Sequence, residues 1–136
     1  MNKIDLDYAI GLIIGQKKPI NKVLIIKKYI PIERKISAID ELFLEVFDFK
    51  DGKLNDIDPI KKYVKFTLLA VKLYTNLDLE GTYKEYDKLQ SNGLIDSIFK
   101  EVKSDYMDLN SFMDMRFEHK IAQYYSSIQV GDMNGN

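Results

Sequence analysis

The first residues that could do chemistry are the glycines and lysines of GLIIGQKK, residues 11–18. A phosphate-cradling loop needs G-x-x-x-x-G-K-[ST], with lysine directly behind the second glycine and a hydroxyl next to it for magnesium. Here Gly11 and Gly15 stand one residue too close, Gln16 separates Gly15 from Lys17, and Lys18 occupies the hydroxyl position. The pattern fails as a nucleotide loop and reads better as a hairpin with a glycine at its corner. A second candidate is FDFKDGKLNDID, residues 47–58, whose aspartates suggest calcium. With Gly52 at the sixth loop position, the first and third positions fall on Phe47 and Phe49, where oxygen ligands are required. Asp48, Asp51, Asp56 and Asp58 are expected instead to solvate a linker and to cap the helix after it.

His119 is the one histidine, and no HExxH accompanies it, so a histidine-based zinc site is excluded. A Ser-His-Asp arrangement would need partners brought in by the fold alone. His119 lies two residues from Phe117 and off its apolar stripe, so it is expected on the surface. The chain has no cysteine, which removes disulfides, thiolate metal sites and cysteine nucleophiles. The stretch YTNLDLEGTYKEYDKLQSNGLID, residues 74–96, gathers Asp78, Glu80, Glu85, Asp87 and Asp96 around three tyrosines. Paired carboxylates can work as general acid and base. Helical spacing argues against one site: Tyr83, Tyr86 and Leu89 share a face, while Lys84, Glu85 and Lys88 point away from it to water. No catalytic residue, metal or cofactor is expected.

These residues must be positioned by a chain of 136 residues, long enough for one hydrophobic core. Its 46% hydrophobic and 30% charged content is that of a folded globular protein, and a net charge of -1 gives no general pull toward nucleic acid or anionic lipid. The local exception is the N-terminal region. Lys17, Lys18, Lys22, Lys27, Lys28, Arg34 and Lys35 fall there against Asp5, Asp7 and Glu33. Lysines on a strand edge ordinarily guard against aggregation. A phosphate backbone or an acidic protein face is the alternative partner, with nucleic acid not the favoured one. The apolar run Ala9–Ile14 is broken by Gly11, too short to span a bilayer and preceded by acids, so neither a signal peptide nor a membrane partner is expected.

The β-branched runs 8–15 and 22–30 around QKKPIN predict a β-hairpin over residues 8–30. The alternative is a short amphipathic helix over residues 1–14 before a single strand. From Pro31 the period becomes helical, with Ile32, Ile36, Ile39, Phe43, Val46 and Phe47 predicting a helix to about Asp48. Asp58-Pro59 is a helix start, and Ile60, Val64, Leu68, Val71 and Tyr74 or Thr75 mark the face that follows. Thr82 caps a third helix that Asn92-Gly93 ends. Leu94, Ile95, Ile98, Phe99 and Val102 form a fourth. A last long helix starts at Ser104 or Asp105 and carries Tyr106, Leu109, Met113, Phe117, Ile121, Tyr124 and Ile128. The expected fold is mainly α (α+β): an N-terminal β-hairpin or strand packed on about five helices, one domain over residues 1–130 with a helical part over 31–130, and a flexible tail at 131–136.

Nine tyrosines and seven phenylalanines fall mostly on these stripes. Tyr124 and Tyr125 are adjacent and cannot both be buried by one helix, so one of them, with Phe112 or Met115, is left for a partner. The candidate partner surface is Val23, Ile25, Lys27 and Lys28 on a strand edge that could extend a partner's sheet, together with Tyr124 and Tyr125.

The order KKYIPIERKISAIDELF, a polar linker, then LYTNLDLEGTYKEYDKLQSNGLIDSIF resembles a family of small proteins encoded by tailed bacteriophages of AT-rich hosts. That family has a strand ending in a Y-I-P-I-E-x-K helix start, a helix ending in Y-T-N-[LI], then Y-D-x-L-x-x-x-G-L-I-x-x-I. The matching positions here are Tyr29–Lys35, Tyr74–Leu77 and Tyr86–Ile98, and the resemblance covers residues 22–110. It implies a non-enzymatic virion component or assembly factor that contacts other phage structural proteins or copies of itself. Such a protein would sit in the bacterial host cytoplasm during assembly and then in the particle. It carries over no site residue. Two rivals stand beside it: a phage-encoded inhibitor of a host defence protein or enzyme, and an enzyme using clustered carboxylates with a metal.

Overall fold

In the computed structural model, residues 2–56 and 58–134 are described, with side chains at 56 and 128–134 left aside. The chain is mainly α with two small two-stranded sheets. In order, the elements are β1 (Ile4–Asp5), α1 (Leu6–Ile10), α2 (Ile20–Val23), α3 (Ile32–Val46), β2 (Phe47–Lys50), β3 (Lys53–Asp56), α4 (Pro59–Tyr74), β4 (Leu77–Asp78), α5 (Tyr83–Ser91), α6 (Leu94–Glu101) and α7 (Lys103–Asn134). A wider π-helical turn, Gly11–Gly15, continues α1.

Of the hairpin expected over residues 8–30, the first run is helical and most of the second lies outside any helix or sheet. The Asp5 carboxylate accepts from the Tyr8 N–H at 3.0 Å and starts α1, which then buries Leu6 and Ala9 three residues apart. The short-helix alternative for residues 1–14 is the one adopted. The strand of the N-terminal region is the two-residue β1, parallel to β4 with Ile4 opposite Leu77. Residues 24–30 are extended but join no sheet. The Ile25 N–H donates to Asn76 Oδ1, the Lys27 N–H to the Tyr74 carbonyl and the Ile30 N–H to Asp105 Oδ2. Three N–H groups of this segment are thereby taken up inside the molecule.

The antiparallel hairpin lies instead in the stretch read as a polar linker. β2 and β3 pair with Phe49 opposite Leu54, and Asp51-Gly52 forms the two-residue turn with both φ values positive, at 55° and 70°. Asp-Gly is a favoured pair for that mirror-image turn, whose twist matches the strands. The hairpin also ends α3 at Val46, short of the expected Asp48, because Phe47 turns into the sheet.

α4 is the central element. Phe66, Ala70, Leu73 and Tyr74 face one core layer, with α3, the hairpin and α7. Val64, Leu68 and Val71 face a second layer made by α1, β4, α5 and α6. A helix buried on two sides needs apolar residues nearly all round, which explains Phe66, Thr67 and Ala70 outside the single expected stripe. Its start is as expected: Asp58 accepts from the Ile60 N–H with Pro59 at the first position, although Ile60 itself is exposed. The first layer is rich in aromatic contacts, with Phe43 stacked on Phe47 at 4.5 Å and Phe117 edge-on to both.

Thr82 and Glu85 form a reciprocal capping box on α5, and Gly93, at φ 70°, makes the break before α6. Tyr83, expected toward the core, is exposed, whereas Tyr86 is half-buried and Leu89 fully buried. Residues 131–134, expected as a tail, continue α7, and the expected stripe residue Ile128 lies outside the described side chains. Replacing Gly52 by alanine forces a Cβ into a left-handed conformation and should cost about 1 kcal/mol in urea unfolding. An unchanged denaturation midpoint would contradict the turn geometry.

Candidate functional site

Two of the motif segments, Tyr29–Lys35 and Tyr74–Leu77, meet at one buried point, the carboxylate of Asp105. The Asp105 carboxylate sits at the start of α7 and accepts three hydrogen bonds: Lys35 Nζ at 2.9 Å, the Tyr74 hydroxyl at 2.7 Å and the Ile30 N–H at 3.1 Å. Lys35 is 2% exposed, Asp105 7% and Tyr74 fully buried. Burial alone would push the Asp105 carboxyl up; Lys35, Tyr74 and the Ile30 N–H together outweigh it and hold the carboxyl below its ordinary value. Burial first, and then the bond to Asp105, pushes the Tyr74 hydroxyl well above its ordinary value. The remaining Lys35 charge lies over the rings of Tyr29 at 5.1 Å and Phe112 at 5.7 Å.

The following motif residues do similar work. Asn76 accepts from Ile25 and donates to the Asn2 carbonyl, while the Thr75 hydroxyl donates to Val71 and accepts from the Leu77 N–H. Tyr74, Thr75 and Asn76 therefore join α4, β1 and residues 24–30. Asp105 thus does more than start a helix: it ties α7 to α3 and α4. A signal for it exists: Lys35 shares its helical spacing with Ala38, Ile39, Leu42 and Val46, and Asp105 with Leu109 and Met113. One opposite charge on each of two apolar stripes calls for pairing.

Above this network lies an open apolar groove of about 230 Å³ between α3 and α7, lined by Ile32, Ile36, Phe112 and Met115, with Arg116 and His119 at its rim. Ile32 is 52% and Met115 57% exposed. Ile32 and Ile36 had been expected on the buried stripe; the buried face of α3 runs instead through Lys35, Ala38 and Leu42, which rotates both isoleucines outward. Arg116 is committed to Asp40 by two hydrogen bonds at 2.9 and 3.1 Å. His119 is exposed, as expected.

The six expected surface residues do not form one face. Val23 is half-buried against the second core layer, while Ile25, Lys27 and Lys28 are exposed along the extended segment. Tyr124 packs on Phe49, and the Tyr125 hydroxyl donates to the Leu54 carbonyl, both at the hairpin. Tyr124 lies about 28 Å along α7 from Asp105, which binds the end of the extended segment, so the two groups are at separate places.

The carboxylates of residues 78–96 are likewise dispersed. Glu85, expected to face water, accepts from the N–H groups of Glu80, Gly81 and Thr82; these bonds overcome the effect of burial and keep its carboxyl low. Lys88 pairs with Asp7 at 2.8 Å. Among the described residues there is no cluster of three or more potential metal ligands, no buried side-chain polar atom without a partner, and no helix long and apolar enough to cross a membrane. No protein-family model, curated protein or solved structure matches the chain.

Replacing Asp105 by asparagine leaves the Lys35 ammonium buried without its counter-charge, and should destabilise the fold by about 3–5 kcal/mol. Because the folded carboxyl lies below its ordinary value of about 4, its contribution is complete above that pH and is lost as pH falls through the folded value. The difference between wild type and Asp105→Asn in urea unfolding should therefore be constant near neutrality and shrink below about pH 4. A difference that grows on acidification would contradict the assignment.

Proposed function

We propose that this chain is a non-enzymatic structural or assembly protein of a tailed-bacteriophage particle that works through protein contacts, with other particle proteins or copies of itself as partners. The observation that carries the contact reading is the α3–α7 groove. Ile32, Ile36, Phe112 and Met115 line an apolar groove above the buried Lys35–Asp105 pair, where a folded chain would otherwise turn polar side chains outward. The perturbed carboxyls of Asp105, Glu85 and Asp40 are each engaged in a structural bond, which favours a binding role over acid–base chemistry. The phage context is supported by the motifs at Tyr29–Lys35, Tyr74–Leu77 and Tyr86–Ile98, and under this reading the protein works in the host cytoplasm during assembly and then in the particle.

Replacing Ile32 and Met115 by glutamate tests the reading at exposed positions, so the melting temperature should shift by no more than about 2–4 °C. Crosslinking mass spectrometry on assembling and purified particles should find wild type joined to itself or to particle proteins through the groove, and the variant lost from those contacts. Wild type crosslinked to no particle protein, or the variant retained at the wild-type level, would contradict the reading.

A further inference from the structure

The two faces of the Tyr29–Arg34 turn differ. One side borders the apolar groove, and the other borders a cleft of about 560 Å³ between residues 27–34, the end of α4 and the chain around Lys3. Lys3, Lys27, Arg34 and Lys72 line it, and no carboxylate does. Lys3 has a loose, exposed contact with Asp78 at 3.9 Å, outside the cleft lining. Lys27, Arg34 and Lys72 have no acidic partner within ion-pair distance among the described residues. By contrast, the neighbouring depression over α4 mixes Lys61, Lys65 and Lys72 with Glu41, Glu45 and Glu80. In a chain of net charge -1, four cations around one cleft without an acid are a concentration that the overall composition does not require.

We infer that this cleft is a binding site for phosphoryl groups. Its volume is that of a small-ligand pocket. Arg34 brings a planar fork that fits phosphate oxygens, and the three lysines bring point charges. Tyr29, 67% exposed at the edge, offers a ring on which a base can stack. The cleft takes in Pro31, which precedes α3, and Arg34 of its first turn; Pro31 has no side-chain acceptor for the first-turn N–H groups. Glu33 in the same turn offsets the positive potential of that helix end, so the four cations define the site. An acidic peptide would satisfy the charges but would leave the aromatic edge unused, so a phosphorylated ligand carrying a base fits better. Two sources share this chemistry: a free nucleotide and a single-stranded nucleic acid. The site goes beyond the proposed contact face and uses different side chains.

The test is fluorescence anisotropy of the full chain with a labelled oligothymidylate of about 12 nucleotides at about 50 mM salt, with ATP and an oligoglutamate of equal charge as competitors. The oligonucleotide or ATP should bind, oligoglutamate should compete at least about tenfold more weakly, and added salt should weaken binding steeply. Binding of the oligonucleotide tenfold or more above ATP assigns the strand as source; equal or tighter ATP assigns the free nucleotide. Lys27→Ala combined with Arg34→Ala should lower affinity by about tenfold or more, and Lys72→Gln alone by a few-fold, whereas Lys17→Ala with Lys18→Ala, outside the cleft, should change it by less than about twofold. These positions are exposed, and circular dichroism melts check that each variant folds. No binding of either phosphorylated probe, oligoglutamate competing as well as ATP, or cleft variants that bind like wild type would overturn the site.

Discussion

The structure depends on one buried carboxylate. Asp105 meets an ammonium from α3, a hydroxyl from α4 and an N–H from the segment leading into α3, so one side chain of α7 fixes three other parts of the chain. An isolated charge in such a place would be costly, and removing any donor would leave Asp105 or Lys35 underpaired. The requirement acts as a register. Apolar packing among Ile39, Leu42, Leu109 and Met113 is non-directional, whereas the Lys35–Asp105 pair needs one particular offset of α3 against α7.

The surface follows from that register. Lys35 lies beneath the rings of Tyr29 and Phe112, so the ion pair also sets where those aromatics stand. Because Lys35 takes an inward position on α3, Ile32 and Ile36 turn outward to face Phe112 and Met115. The same turn aims Arg34 away from the groove and into the basic cleft. Groove and cleft are thus two sides of one short segment whose end is held by Asp105, and the network supports both without being exposed in either.

Much of the helical architecture was legible in the sequence because its signals are local. Asp58-Pro59, Thr82 with Glu85, and Asn92-Gly93 each act within a few residues, and each operates as a cap or break. Two local signals point both ways. Ile10, Ile13 and Ile14 suggested a strand, yet the Asp5 cap and the spacing of Leu6 and Ala9 favour helix. Asp51-Gly52 sits among aspartates that suggest a calcium loop or a linker, yet Phe47, Phe49 and Leu54 around it mark a hairpin. What could not be read was long-range. Lys35 and Asp105 each stand on an apolar stripe, which marks both as inward, but 70 residues separate them and only the fold brings them together. The candidate surface divided for the same reason: Lys27 and Tyr125 are each exposed, but only the fold shows that they lie at different ends of α7.

The ion pair as organising constraint is tested most directly by a double-mutant cycle in urea with Lys35→Met, Asp105→Asn and the combination. Each single change strands one partner in the interior, whereas the double change removes both charges. The double variant should therefore be more stable than the sum of the single losses predicts, with a coupling of at least about 2 kcal/mol. Losses that add to within about 0.5 kcal/mol would contradict the account, and would mean that α3 and α7 hold their register by apolar packing alone.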